Sequence, residues 1–149
     1  MMRRFAAMSA ALCLLALSSS VLAGSAPAEL SCVSESGKVT IKGQIPSPSS
    51  EEMALTLDYM KTRLTFNSNK TSGHVVENFP VGVFTLVIPS EPVALTLYAL
   101  PASITVKMQP NGDMAGKFQA KLLGPRPGAR ADGDLPLKAN MSCDYRYSL

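Results

Sequence analysis

The chain has 149 residues, with 14 basic and 11 acidic side chains, 46% hydrophobic residues, a single histidine and no tryptophan. So small a charge excess gives no field that would draw nucleic acid or an anionic membrane. One histidine also leaves few ways to build a metal centre or an acid–base pair.

The first two dozen residues read as an export leader. Met1-Met2-Arg3-Arg4 is a positive n-region, Phe5 to Leu17 is an apolar run, and Val21-Leu22-Ala23 supplies the small residues a signal peptidase needs. A membrane anchor is the rival reading, but the apolar run falls short of the ~20 residues that span a bilayer. Cleavage after Ala23 leaves residues 24–149 as one expected domain, with no membrane span. With Arg3 and Arg4 removed, 12 of the 14 basic side chains face 11 acidic ones. Cys13 leaves as well, so Cys32 and Cys143 remain. In a secreted or periplasmic protein such a pair is expected to be a disulfide. Two cysteines without a CxxC spacing make a poor zinc set.

Leu30 and Cys32 begin an alternation of apolar and polar residues that continues at Val39, Ile41 and Ile45, with Gly43 marking a bulge or a close backbone approach. Ser49 to Leu64 is ambiguous. Ser49-x-x-Glu52 has the form of a capping box, and Met53, Leu57, Met60 and Leu64 follow at helical spacing. Met53, Leu55, Leu57 and Tyr59 also alternate as a strand. Glu51-Glu-Met-Ala-Leu-Thr-Leu57 matches Glu91-Pro-Val-Ala-Leu-Thr-Leu97, and the second copy carries Pro101, which breaks helices. We therefore expect strand–turn–strand in both. His74 to Phe79 and Val83 to Ile88 read as short strands around Pro80-Val-Gly82. Asn111-Gly112 signals a hairpin between Ile104–Met108 and Ala115–Leu122. The residues from Gly124 to Asp134 have no apolar periodicity and form the longest expected loop. Leu135 to Leu149 then alternates without interruption, with Cys143 in the apolar phase.

Eight to ten short strands punctuated by prolines predict an all-β fold, an antiparallel β-sandwich or small β-barrel, with one disulfide joining the first and last strands. Nothing in the sequence assembles a reaction. No Gly-x-Ser-x-Gly surrounds a serine, and the close carboxylate pairs Glu51-Glu52 and Asp132-x-Asp134 lie in turn sequence. Met53, Met108 and Met141 fall in apolar phases as core filler rather than copper ligands. No cofactor or metal is expected. Asn69-Lys-Thr71 and Asn140-Met-Ser142 match glycosylation acceptors.

The expected function is an exported, non-enzymatic binding or structural component of the cell envelope or extracellular space, with an unidentified protein or surface partner. Its contact surface is placed in the long loop, at Arg126, Arg130, Asp132 and Asp134, because long loops in compact β domains are usually functional or disordered. A small barrel carrying an apolar ligand is the alternative, and a protease inhibitor presenting Arg130-Ala131 is a weaker one.

N-terminal sequencing of the exported protein should begin at Gly24. A mature chain that retains Phe5 to Leu17 contradicts the leader assignment.

Overall fold

The computed structural model of the chain describes residues 26–127 and 136–149. Residues 1–25, which hold the expected leader, and residues 128–135 lie outside the described part. The fold is all-β: ten strands form one antiparallel sheet curled into a half-barrel. In chain order they are β1 (Ala28–Ser34), β2 (Val39–Ile45), β3 (Ala54–Tyr59), β4 (Thr62–Asn67), β5 (His74–Asn78), β6 (Val83–Ile88), β7 (Leu95–Ala99), β8 (Lys107–Met108), β9 (Met114–Gly124) and β10 (Leu137–Tyr147).

Their hydrogen-bonded order is β4-β3-β2-β1-β10-β9-β7-β6-β5, with β8 attached to β9 off that path. The first and last strands of the chain are therefore neighbours in the middle of the sheet. Cys32 lies directly opposite Cys143 in this pairing. Their Cα atoms are 4.1 Å apart, and the expected disulfide joins them across 111 residues of sequence.

Alternation of side chains explains why this sequence makes a curled sheet. On β10, Leu137, Met141, Cys143, Tyr145 and Tyr147 are buried while Lys138, Asn140, Ser142, Asp144 and Arg146 face solvent. On β9, Phe118, Ala120 and Leu122 point inward and Lys117, Gln119 and Lys121 outward. Burying a side chain of this size contributes about 1.5–3 kcal/mol, so a one-residue slip of register would forfeit a whole row at once. The polar outer face of β9 and β10 is the reverse of a lipid-facing strand pair, whose apolar residues point outward. Among the described residues no helix is long and apolar enough to cross a membrane.

The ambiguous stretch is strand rather than helix. β3 and β4 form a tight hairpin with Tyr59 opposite Thr62, and Met60 occupies its turn with φ 54°. Met60 is thus exposed, not part of a helical apolar face. Gly43 is a close approach, as expected: a Cβ there would run into the carbonyl oxygen of Ala54 on β3.

Several expectations need correction. Only Lys107–Met108 of the Ile104–Met108 segment is strand. Upstream of it the Thr105 N–H donates to the Lys117 carbonyl at 2.8 Å, while the Lys117 N–H donates to Thr105 Oγ1 at 3.1 Å, so a side chain replaces a ladder bond. The backbone at Val106 lies so close to Gly116 that a Cβ there would sit 2.5 Å from it. The second copy of the Ala-Leu-Thr-Leu repeat therefore forms a strand, β7, but no β4-like partner after it. Met108 is 70% exposed rather than core, because its strand is too short to be covered. Leu149 is also exposed, since β10 ends at Tyr147.

Because the disulfide closes a loop of 111 residues, the chain-entropy model assigns it about 4–5 kcal/mol. Cys143→Ser should lower the thermal midpoint by many degrees with the far-ultraviolet β signature retained below it. Titration of two free thiols in the native protein contradicts this pairing.

Candidate functional site

The parity of the sheet decides where it stays open. Nine strands lie on the path and every neighbouring pair is antiparallel, so the two end strands, β4 and β5, run in the same direction. Parallel neighbours need a crossover of a dozen or more residues, and only residues 68–73 separate β4 from β5. Among the described residues each of these strands has a partner on one side only.

The two open edges differ in character. The outer face of the β3–β4 hairpin carries a bidentate ion pair: Arg63 Nε donates to Asp58 Oδ1 at 2.6 Å and Nη2 to Oδ2 at 3.1 Å. The Arg63 hydrogen bond holds the Asp58 carboxyl below its ordinary range. The outer face of β5 has only His74, Val76 and Asn78. Val83, Thr85 and Val87 continue this face on β6, and Thr96, Tyr98 and then Leu100 continue it along and beyond β7. This three-strand face contains no Lys, Arg, Asp or Glu, whereas β9 and β10 present Lys117, Lys121, Lys138, Asp144 and Arg146. Val76 is 61% exposed, and Val83 and Leu100 are exposed beside it.

The inward side of β5 holds a polar pair. Glu77 points into the half-barrel, where Tyr145 Oη on β10 donates to its Oε2 at 2.7 Å. Rings surround the phenol: Phe79 lies 4.9 Å from Tyr145 between centroids, and Phe84 lies 4.8 Å from Phe118. Burial raises the Glu77 carboxyl above its ordinary value, with the Tyr145 hydrogen bond opposing that shift. Burial, then the hydrogen bond and charge of Glu77, push the Tyr145 phenol far up, so it is a permanent donor.

A cleft of about 540 Å³ opens where β5 begins, between it and the connection from β2 to β3. Ser47, Ser50, Glu51 and Glu52 line one wall, and Ser68, Thr71, Ser72, His74 and Val75 line the other. Of β5 only His74 and Val75 take part, so the cleft lies at the start of that strand. No lysine or arginine lines it. The wall is held from inside, where Tyr147 Oη donates to Ser49 Oγ at 2.9 Å and Ser47 Oγ donates to the Ala26 carbonyl at 2.7 Å. Among the described residues no hydrogen bond joins His74 to a hydroxyl or carboxylate, and no group of three His, Cys, Asp or Glu is placed to hold a metal.

The expected contact loop is only partly described. Arg126 follows β9 and lines a second cleft with Lys38, Tyr59 and Lys138 at the opposite end of the sheet, where its Nε is shielded from solvent. Arg130, Asp132 and Asp134 lie outside the described residues. Of the glycosylation motifs, Asn69 is exposed in the β4–β5 connection, and Asn140 faces outward on β10 with Nδ2 3.5 Å from Glu35 Oε1. The Glu77–Tyr145 pair was missed at the sequence level, although Val75, Glu77 and Phe79 share one phase of a strand. An acidic residue in an apolar phase was the available signal.

Comparison of the chain with protein-family models, curated proteins and solved structures found no match.

The raised Glu77 carboxyl carries a pH dependence of defined sign. The native state binds this proton more readily than the unfolded chain, so the contribution is favourable below the ordinary carboxyl value of 4.5 and is lost as pH rises through the raised one. Glu77→Gln keeps an acceptor for Tyr145 without the charge. Its urea midpoint should gain on the wild type between pH 4 and pH 7. An equal difference at both pH values contradicts the assignment.

Proposed function

We propose that the protein is an exported, non-enzymatic binding or structural component of the cell envelope or extracellular space, and that it works through the rim of its sheet. The observation that carries this reading is the open β5 edge, bordered by a hydroxyl- and carboxylate-lined cleft and an uncharged outer face. Two further features support it. The concave side is filled by the ring cluster of Phe79, Phe84, Phe118 and Tyr145 together with Leu57, Leu97, Leu122 and Met141, which favours rim contact over carriage of an apolar ligand inside. An oxidising compartment is compatible with the disulfide.

Native mass spectrometry of the protein purified from its source should show a non-covalent peptide or protein adduct. A lipid-sized adduct released only on unfolding supports the interior carrier instead. Neither adduct under gentle desolvation contradicts a binding role.

A further inference from the structure

We propose that the β5 edge is a docking site for an extended, apolar and basic peptide segment, which adds to the sheet as a strand antiparallel to β5. The inference rests on the binding role proposed above and names its partner. Three observations select this occupant.

The first is the edge itself. A strand with one free side offers a row of unpaired backbone donors and acceptors, the template for strand addition. Every pair in this sheet is antiparallel, so an added strand in that sense continues the existing geometry without a crossover. Proteins commonly blunt such an edge with outward charges. β4 has one in Arg63, paired with Asp58, and β5 has none on its outer face, its Glu77 being bonded to Tyr145 inside the half-barrel.

The second is size. Three strands at about 4.8 Å spacing and five residues at about 3.4 Å rise make an uncharged face of roughly 250 Å² in projection. A stable contact between two folded proteins needs ~800 Å² on each partner. The face is too small for a lasting pairing of two copies of this chain, and it suits a single strand whose outward side chains lie beside His74, Val76 and Asn78. Main-chain bonds then supply affinity, and the flanking surfaces supply selectivity.

The third is charge. The cleft where β5 begins is lined by Glu51 and Glu52, with no lysine or arginine among its walls. A strand entering beside His74 and Val75 passes this wall, so a lysine or arginine in it meets the carboxylates. An acidic segment meets two like charges instead.

The test uses the whole protein and an eight-residue peptide alternating valine with threonine and lysine, measured by isothermal titration. Two companions are a version with glutamate in place of lysine and a version N-methylated on alternate amides. The lysine peptide should bind at least tenfold more tightly than the glutamate version, and N-methylation in the edge-facing phase should abolish binding. Glu51→Gln with Glu52→Gln, both in an exposed connection, should bring the two unmethylated peptides within about threefold, since it removes the charges that tell them apart. Equal binding of the lysine and glutamate peptides, unimpaired binding of the peptide N-methylated in its edge-facing phase, or no binding of any peptide overturns the proposal. If native mass spectrometry still finds an adduct when the lysine peptide fails to bind, the edge assignment falls and the binding role stands. If both are negative, both fall.

Discussion

The pairing of β1 with β10, locked by Cys32–Cys143, is the contact on which the rest of the structure depends. The chain builds two antiparallel meanders, one from β1 out to β4 and one from β5 back to β10. Only the β1–β10 ladder makes them a single sheet. The contact joins residues 111 positions apart, so the backbone must close a very long loop before the ladder contributes anything. A covalent bond in the centre of that ladder removes much of this cost from the unfolded chain. It also sets the register, because Cys32 opposite Cys143 places Leu30 opposite Tyr145 and keeps both rows on the concave side. The curl then follows from what those rows must cover.

The same arrangement creates the open rim. With the chain termini in the middle, the two edges fall to strands that are consecutive in sequence but parallel in space. A short connection cannot turn them into a ladder. The inner phase of β5 is therefore near the rim of the core, where an acidic residue is tolerated if a phenol on the central strand reaches it. Glu77 and Tyr145 thus tie an edge strand to the middle of the sheet across the half-barrel, in surroundings that favour the neutral carboxyl. The outer phase of β5 is left with small or uncharged residues. Edge, cleft and uncharged face all descend from the order of strands.

Much of the fold was legible because alternation reports burial directly. Leu137 to Tyr147 and Phe118 to Leu122 read correctly residue by residue, and Asn111-Gly112 marked its hairpin. The reading failed where local pattern and tertiary context disagree. Met60 fitted a helical face yet sits in a turn, and Met108 fitted a strand phase yet has nothing above it. Ile104 to Val106 has β-branched residues, but Thr105 bonds β9 through its hydroxyl. The rim was illegible for a different reason: β5 is an edge only because of the strand order, and no single segment encodes that order. The long loop drew attention by its composition, and of its proposed contacts Arg126 alone is among the described residues.

Residue-resolved amide hydrogen exchange of the oxidised protein tests this architecture most directly. The amides of β1, β9 and β10 should be the slowest and should exchange together, as one cooperative unit around the disulfide. In β5, alternate amides should exchange fast, because only one phase is bonded to β6. Uniform protection along β5 equal to that of β10 would mean its outer side is paired, and β1 amides exchanging independently of β10 would mean the two meanders are not one sheet. Either result contradicts the account.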